Sequence, residues 1–166
     1  MPKLKIDIVS DVACPWCPIG YKRLEAAMQT LAKEGLGFDV EWQPFELAPE
    51  MPAEGEAIVP HLVRKYGASA AEMRAAQERI MAAAVELGLD FSGALERRAV
   101  NTFDAHRVLM WAWEQGRQTE FALALFAAYF GRAENPATPE VLRATAESLG
   151  LDAAAVDGIL ALLLSS

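Results

Sequence analysis

The stretch Ser10-Asp11-Val12-Ala13-Cys14-Pro15-Trp16-Cys17 holds both cysteines of the 166-residue chain, at the point where an apolar alternation gives way to helical spacing. Upstream, Leu4, Ile6 and Ile8 alternate with Lys5 and Asp7, the period of a half-buried strand, so Cys14 falls at a strand end. Downstream, Pro15 suits an early helical position because its missing N–H had no partner to lose. Tyr21, Leu24, Met28 and Leu31 then recur at three- and four-residue steps until Gly35 and Gly37. Cys14 is thereby set at a helix N-terminus, where unpaired N–H groups and the macrodipole favour a thiolate; a depressed Cys14 pKa is expected. Cys17, about one turn further on, shares that face and can close a disulfide with Cys14. The chemistry expected of such a pair is thiol–disulfide exchange, in which Cys14 attacks and Cys17 resolves.

Two structural cysteines at this spacing, beside a β-α unit, are a weaker reading. Zinc is weaker still, because His61 and His106 lie far apart and form no short pair, so neither a metal nor a bound cofactor is expected. Glutathione enters only as a redox partner.

Composition narrows the class. Asp and Glu total 23 against 15 Lys and Arg, a formal charge of -8, and the basic residues cluster nowhere, which argues against a nucleic-acid partner. Lys3, Lys5, Asp7 and Asp11 interrupt what would be the apolar part of a signal peptide. The apolar run Ile159 to Leu164 is too short to span a bilayer. The expected setting is cytoplasmic, without membrane contact, where a cycling dithiol makes more sense than a permanent disulfide.

Phe38 to Phe45 alternates again and should form a second strand fraying at Pro44. The loop Leu47 to Glu56, with Pro49, Pro52 and Gly55, is the best boundary. It divides a β-α-β part (residues 1–48) from a helical part (residues 49–166). His61 follows Pro60 at a helix start and is expected to be exposed. Ser69 with Glu72 reads as a capping box closed by Gly88. Asn101 or Thr102 should cap a helix to Gly116, and Thr119 should open its hairpin partner to Gly131. Thr138 with Pro139 should begin a helix to Gly150, and Asp152 should cap a last one through Val156, Ile159 and Leu163. Trp111, Trp113, Phe126 and Phe130 are expected in the core.

The motif around the cysteines, with Ile19-Gly20 and Arg23-Leu24-Glu25 after it, resembles the opening of the DsbA-like thioredoxin superfamily, specifically its signal-less FrnE-type members. A second block, Asn101-Thr102-Phe103-Asp104-Ala105-His106-Arg107 followed by Leu125 to Phe130, resembles the helical insertion of those proteins. The resemblance implies an α/β thioredoxin-like fold interrupted after its second strand by helices, so that this chain is mostly α. It also implies a disulfide oxidoreductase or isomerase acting through Cys14 and Cys17 on protein or small-molecule thiols and disulfides.

Pro15 and Trp16, between the cysteines, and His106, beside Arg107, are candidate substrate contacts. Asn101 is a cap first and a ligand contact second. The superfamily also includes 2-hydroxychromene-2-carboxylate isomerases and kappa-class glutathione transferases, which typically carry serine at the reactive position. A glutathione-dependent isomerase or transferase is therefore the second reading.

Family members return from the insertion to a cis-proline loop and further strands, whereas no proline follows Pro139 here. An incomplete sheet is expected, with an exposed edge through which copies could associate. A noncatalytic binding or dimerisation module is the third reading.

Overall fold

The computed structural model describes residues 2–162. Strand β1 (Lys3–Ser10) runs parallel to β2 (Gly37–Pro44), with Ile6 opposite Val40 and Ile8 opposite Trp42. Parallel pairing demands a crossover, and helix α1 (Trp16–Ala32) supplies it. Beyond the proline-rich loop come β3 (Glu56–Ala57), α2 (Ile58–Tyr66), α3 (Ala70–Glu86) and β4 (Arg98–Ala99). Then follow α4 (Phe103–Glu114), α5 (Gln118–Phe126), α6 (Pro139–Ser148) and α7 (Ala153–Ala161). Helices dominate, as expected, and among the described residues β1 and β2 form a two-stranded sheet of their own. No described helix is long and apolar enough to cross a membrane.

Three helix starts obey their side chains. Ser69 Oγ accepts the Glu72 N–H at 3.1 Å, and Asp152 Oδ1 accepts the Ala154 N–H at 2.9 Å. Thr138 Oγ1 accepts from Val141 at 3.4 Å, with Pro139 in the first helical position. At two other starts the threonines have other partners, so that α5 departs from expectation while α4 is capped by Asn101, one of its two expected caps. Thr119 Oγ1 accepts the indole N–H of Trp42 at 3.0 Å, so α5 begins one residue earlier, at Gln118. Thr102 is buried and faces Asp11, leaving Asn101 Oδ1 to accept the Phe103 N–H at 2.9 Å. Leu163 lies outside the described residues.

The core is built where the helices meet Trp42. Its ring lies 5.5 Å from that of Tyr21 and 5.9 Å from that of Phe126, while Phe130 stacks on Phe91 at 4.6 Å. Phe121, Leu125, Tyr129 and Phe130 are essentially sealed from solvent. Trp113 departs from the expected aromatic core, being 43% exposed, and Trp111 is only half-buried. After Phe126 the helix widens into a π-helical turn, Ala127–Gly131, which keeps Ala128, Tyr129 and Phe130 buried in succession.

The outer edge of β2 is closed by a side chain. Gln118 Oε1 accepts the Trp42 backbone N–H at 2.8 Å, and its Nε2 donates to the Trp42 and Leu109 carbonyls at 3.1 Å each. One amide thus imitates a neighbouring strand and ties β2 to the turn between α4 and α5.

A second clip holds the opposite wall of the molecule. β3 and β4 pair antiparallel, Glu56 opposite Ala99, and Arg98 donates to the Glu54 and Gly55 carbonyls at 3.1 Å each. Gly55 has φ +63°, and a Cβ there would stand 2.1 Å from the Ala99 carbonyl oxygen. Gly55→Ala should therefore cost about 2 kcal/mol or more, combining left-handed strain with a backbone clash, measurable as a shift in the denaturant midpoint.

Candidate active site

Strand β1 ends at Ser10 and α1 begins at Trp16; the five residues Asp11–Pro15 between them carry Cys14, and Cys17 lies in the first turn of α1. A turn closes there, with the Cys14 N–H on the Asp11 carbonyl at 3.0 Å and the Cys17 N–H on the Cys14 carbonyl at 3.2 Å. Both cysteines are free thiols, each half-buried. The N–H groups of Trp16 and Cys17 point at the Cys14 sulfur, as a helix N-terminus requires. The Cys17 sulfur faces the Ser10 hydroxyl and the Asp11 N–H.

The two thiols lie close enough to influence each other's ionisation, which therefore belongs to the pair. Donation from Cys14 is the main influence on Cys17 and brings its pKa down to about 6; burial opposes this, and the Ser10 and Asp11 hydrogen bonds reinforce it. Cys14, as donor, is raised, first by that same bond and then by burial. The depressed value expected at Cys14 falls within the pair, which titrates as a unit.

Asp11 organises the surroundings. It is 3% exposed, yet its carboxylate accepts the Leu47 N–H at 2.7 Å and the Ala13 N–H at 3.4 Å, and meets His106 Nε2 at 3.1 Å. Burial alone would raise its pKa; His106, the Leu47 N–H and the Thr102 hydroxyl outweigh that and hold it below the ordinary carboxylate value. One side chain therefore joins the motif, the loop after β2 and the start of α4.

A cavity of about 410 Å³ opens beside Cys14, Pro15 and Trp16, walled by the loop at Leu47, by α2 and α3, and by Arg97 and Tyr129. Trp16 stands at its rim, 52% exposed.

The DSBA-like thioredoxin domain model matches residues 5–162 of this chain. The chain belongs to the DsbA-like thioredoxin family. The crystal structure of a probable DsbA oxidoreductase from Streptomyces coelicolor superposes on it with a TM-score of 0.86 at 32% identity, covering 95% of this chain and 68% of that one. The uncharacterised protein YwbO of Bacillus subtilis is 28% identical over 149 residues, 90% of this chain and 68% of YwbO. A 2-hydroxychromene-2-carboxylate isomerase shares the fold, with a TM-score of 0.64 at 19% identity over 96% of this chain and 71% of the isomerase.

Within this DsbA-like site the structure gathers Cys14, Pro15 and Trp16 on one cavity. It places His106 elsewhere, buried against Asp11 at the rear of the motif, and uses Asn101 to bind the Pro49 carbonyl at 3.0 Å as well as to cap α4. His61, expected to be exposed, is instead half-buried on the cavity wall, because Glu56 captures its Nδ1 at 2.8 Å. Asp11, Ser10 and Arg97 were not singled out by sequence reasoning. An acidic residue three positions before a cysteine motif was the one available signal for Asp11; Arg97, in a loop without periodicity, gave none.

His106→Leu should cost about 3 kcal/mol, since it leaves a buried carboxylate without its partner. Because the Asp11 pKa is lowered on folding, its contribution should be complete above about pH 4 and vanish as pH falls through the lower folded value, as acid denaturation of Asp11→Asn against the parent would show. The Asp11 charge also opposes ionisation of Cys17. Asp11→Asn should therefore move the thiolate pKa further down, read by thiolate absorbance against pH.

Proposed function

We propose that this chain is a thiol–disulfide oxidoreductase or isomerase whose reacting atoms are the sulfurs of Cys14 and Cys17. The observation that carries the reading is the pair of free thiols at the start of α1, one of which opens on a cavity. Membership of the DsbA-like family and the likeness to a probable DsbA oxidoreductase support it.

Cys14 is the attacking sulfur because it lines the cavity and Cys17 does not. With the pair singly deprotonated and its remaining proton on Cys17, the Cys14 thiolate faces the Trp16 and Cys17 N–H groups, which stabilise it. That thiolate attacks a substrate disulfide, forms a mixed disulfide and expels one substrate thiolate. Cys17 then gives its proton to the departed substrate thiolate, attacks the Cys14 sulfur, releases the second thiolate and closes the Cys14–Cys17 disulfide, so two electrons have passed to the substrate. In a reducing cytoplasm, with glutathione as a redox partner, such a pair rests reduced, and reduction or isomerisation of disulfides is the favoured direction.

Cys14→Ser should lower insulin-disulfide reduction by about a hundredfold or more. Cys17→Ser should abolish turnover yet accumulate a mixed disulfide visible by intact mass. An isomerase or transferase activity that survives Cys17→Ser would select the glutathione-dependent reading instead.

A further inference from the structure

The chain carries a net charge of -8, yet no Asp or Glu lines the cavity beside Cys14, while His61, Lys65 and Arg97 all do. Arg97 is the unusual member. It is 3% exposed, and its Nη1 donates to Gln77 Oε1 at 3.0 Å and to the Ala94 carbonyl at 2.6 Å. Its Nε is buried without an acceptor. The rings of Tyr129 and Phe130 lie 5.7 Å and 5.1 Å from the guanidinium, and among the described residues no carboxylate pairs with it. A guanidinium stays charged, and a buried charge normally has a counter-charge. Here the neighbours are neutral amide, carbonyl and aromatic groups, and the space in front is a mostly apolar cavity shared with the reactive thiol.

We propose that the cavity binds an organic carboxylate with an apolar body, its acid group on Arg97, and that the preferred substrate of Cys14 is a small carboxylate-bearing disulfide. This deepens the redox reading and rests on it. Cys14 attacks the disulfide sulfur of the bound molecule; one carboxylate-bearing thiolate leaves at once, and Cys17 releases the other as the enzyme disulfide closes. Lys65, on the same wall with its Nζ 5.5 Å from the Tyr66 ring, guides the anion inward without fixing it.

Two measurements on the reduced protein test this. The first is redox-independent: binding of 3-phenylpropionate against its neutral counterpart 3-phenylpropanol, followed by NMR shifts of cavity residues. The acid should bind about tenfold more tightly or better, and Arg97→Met, which preserves bulk and removes the charge, should erase the difference. The second compares the rate of Cys14 with the dicarboxylate 5,5′-dithiobis(2-nitrobenzoate) and with neutral 4,4′-dithiodipyridine. Arg97→Met should lower the ratio of the first rate to the second about tenfold.

Equal binding of acid and alcohol by the unmutated protein overturns the proposal, without requiring any variant to fold. So does an acid preference that persists in Arg97→Met. The two readings fail separately. Loss of acid preference with normal insulin reduction removes the carboxylate site alone, whereas acid binding without disulfide turnover retains the site and removes the redox chemistry.

Discussion

A single buried carboxylate is the constraint on which this site depends. Asp11 could not remain sealed from water unless several donors met it, and the donors come from three separate segments: Ala13 in the motif, Leu47 after β2, and Thr102 and His106 at the start of α4. Ionised burial is tolerable only when such partners are all in place, so the carboxylate acts as a fastener between the strand-and-helix opening and the helical remainder. The same charge sits close enough to the dithiol to oppose its ionisation. Folding and thiol reactivity are therefore coupled through one residue.

The joint between strands and helices relies on the same principle applied to an amide. Gln118 satisfies a backbone donor and a backbone acceptor of Trp42 together, while Thr119 holds the indole N–H and Phe126 packs on the ring. Polar groups that would be costly to bury are paired in situ, and the apolar surface around them supplies the cohesion.

These details explain what could be read from the residues and what could not. Alternation in Leu4–Ser10 and Phe38–Phe45, the caps at Ser69, Thr138 and Asp152, and the cysteine spacing are local signals, and each matches the structure. The misplaced features are those settled by distant partners. Thr119 has the chemistry of a cap but is claimed by Trp42, and of the two candidates at α4 a contact with Asp11 takes Thr102 and leaves the cap to Asn101. The two-residue strands β3 and β4 are too short to show a period, and His61 is drawn inward by Glu56.

The amide of Gln118 has one more effect, on how this sheet can grow. With the Trp42 main chain already saturated on its far side, a strand arriving alongside the motif end finds hydrogen-bonding capacity only on the flank of β1. Lateral extension of the sheet is in this way disfavoured at the Trp42 edge and directed toward β1, the strand that leads into the two sulfurs.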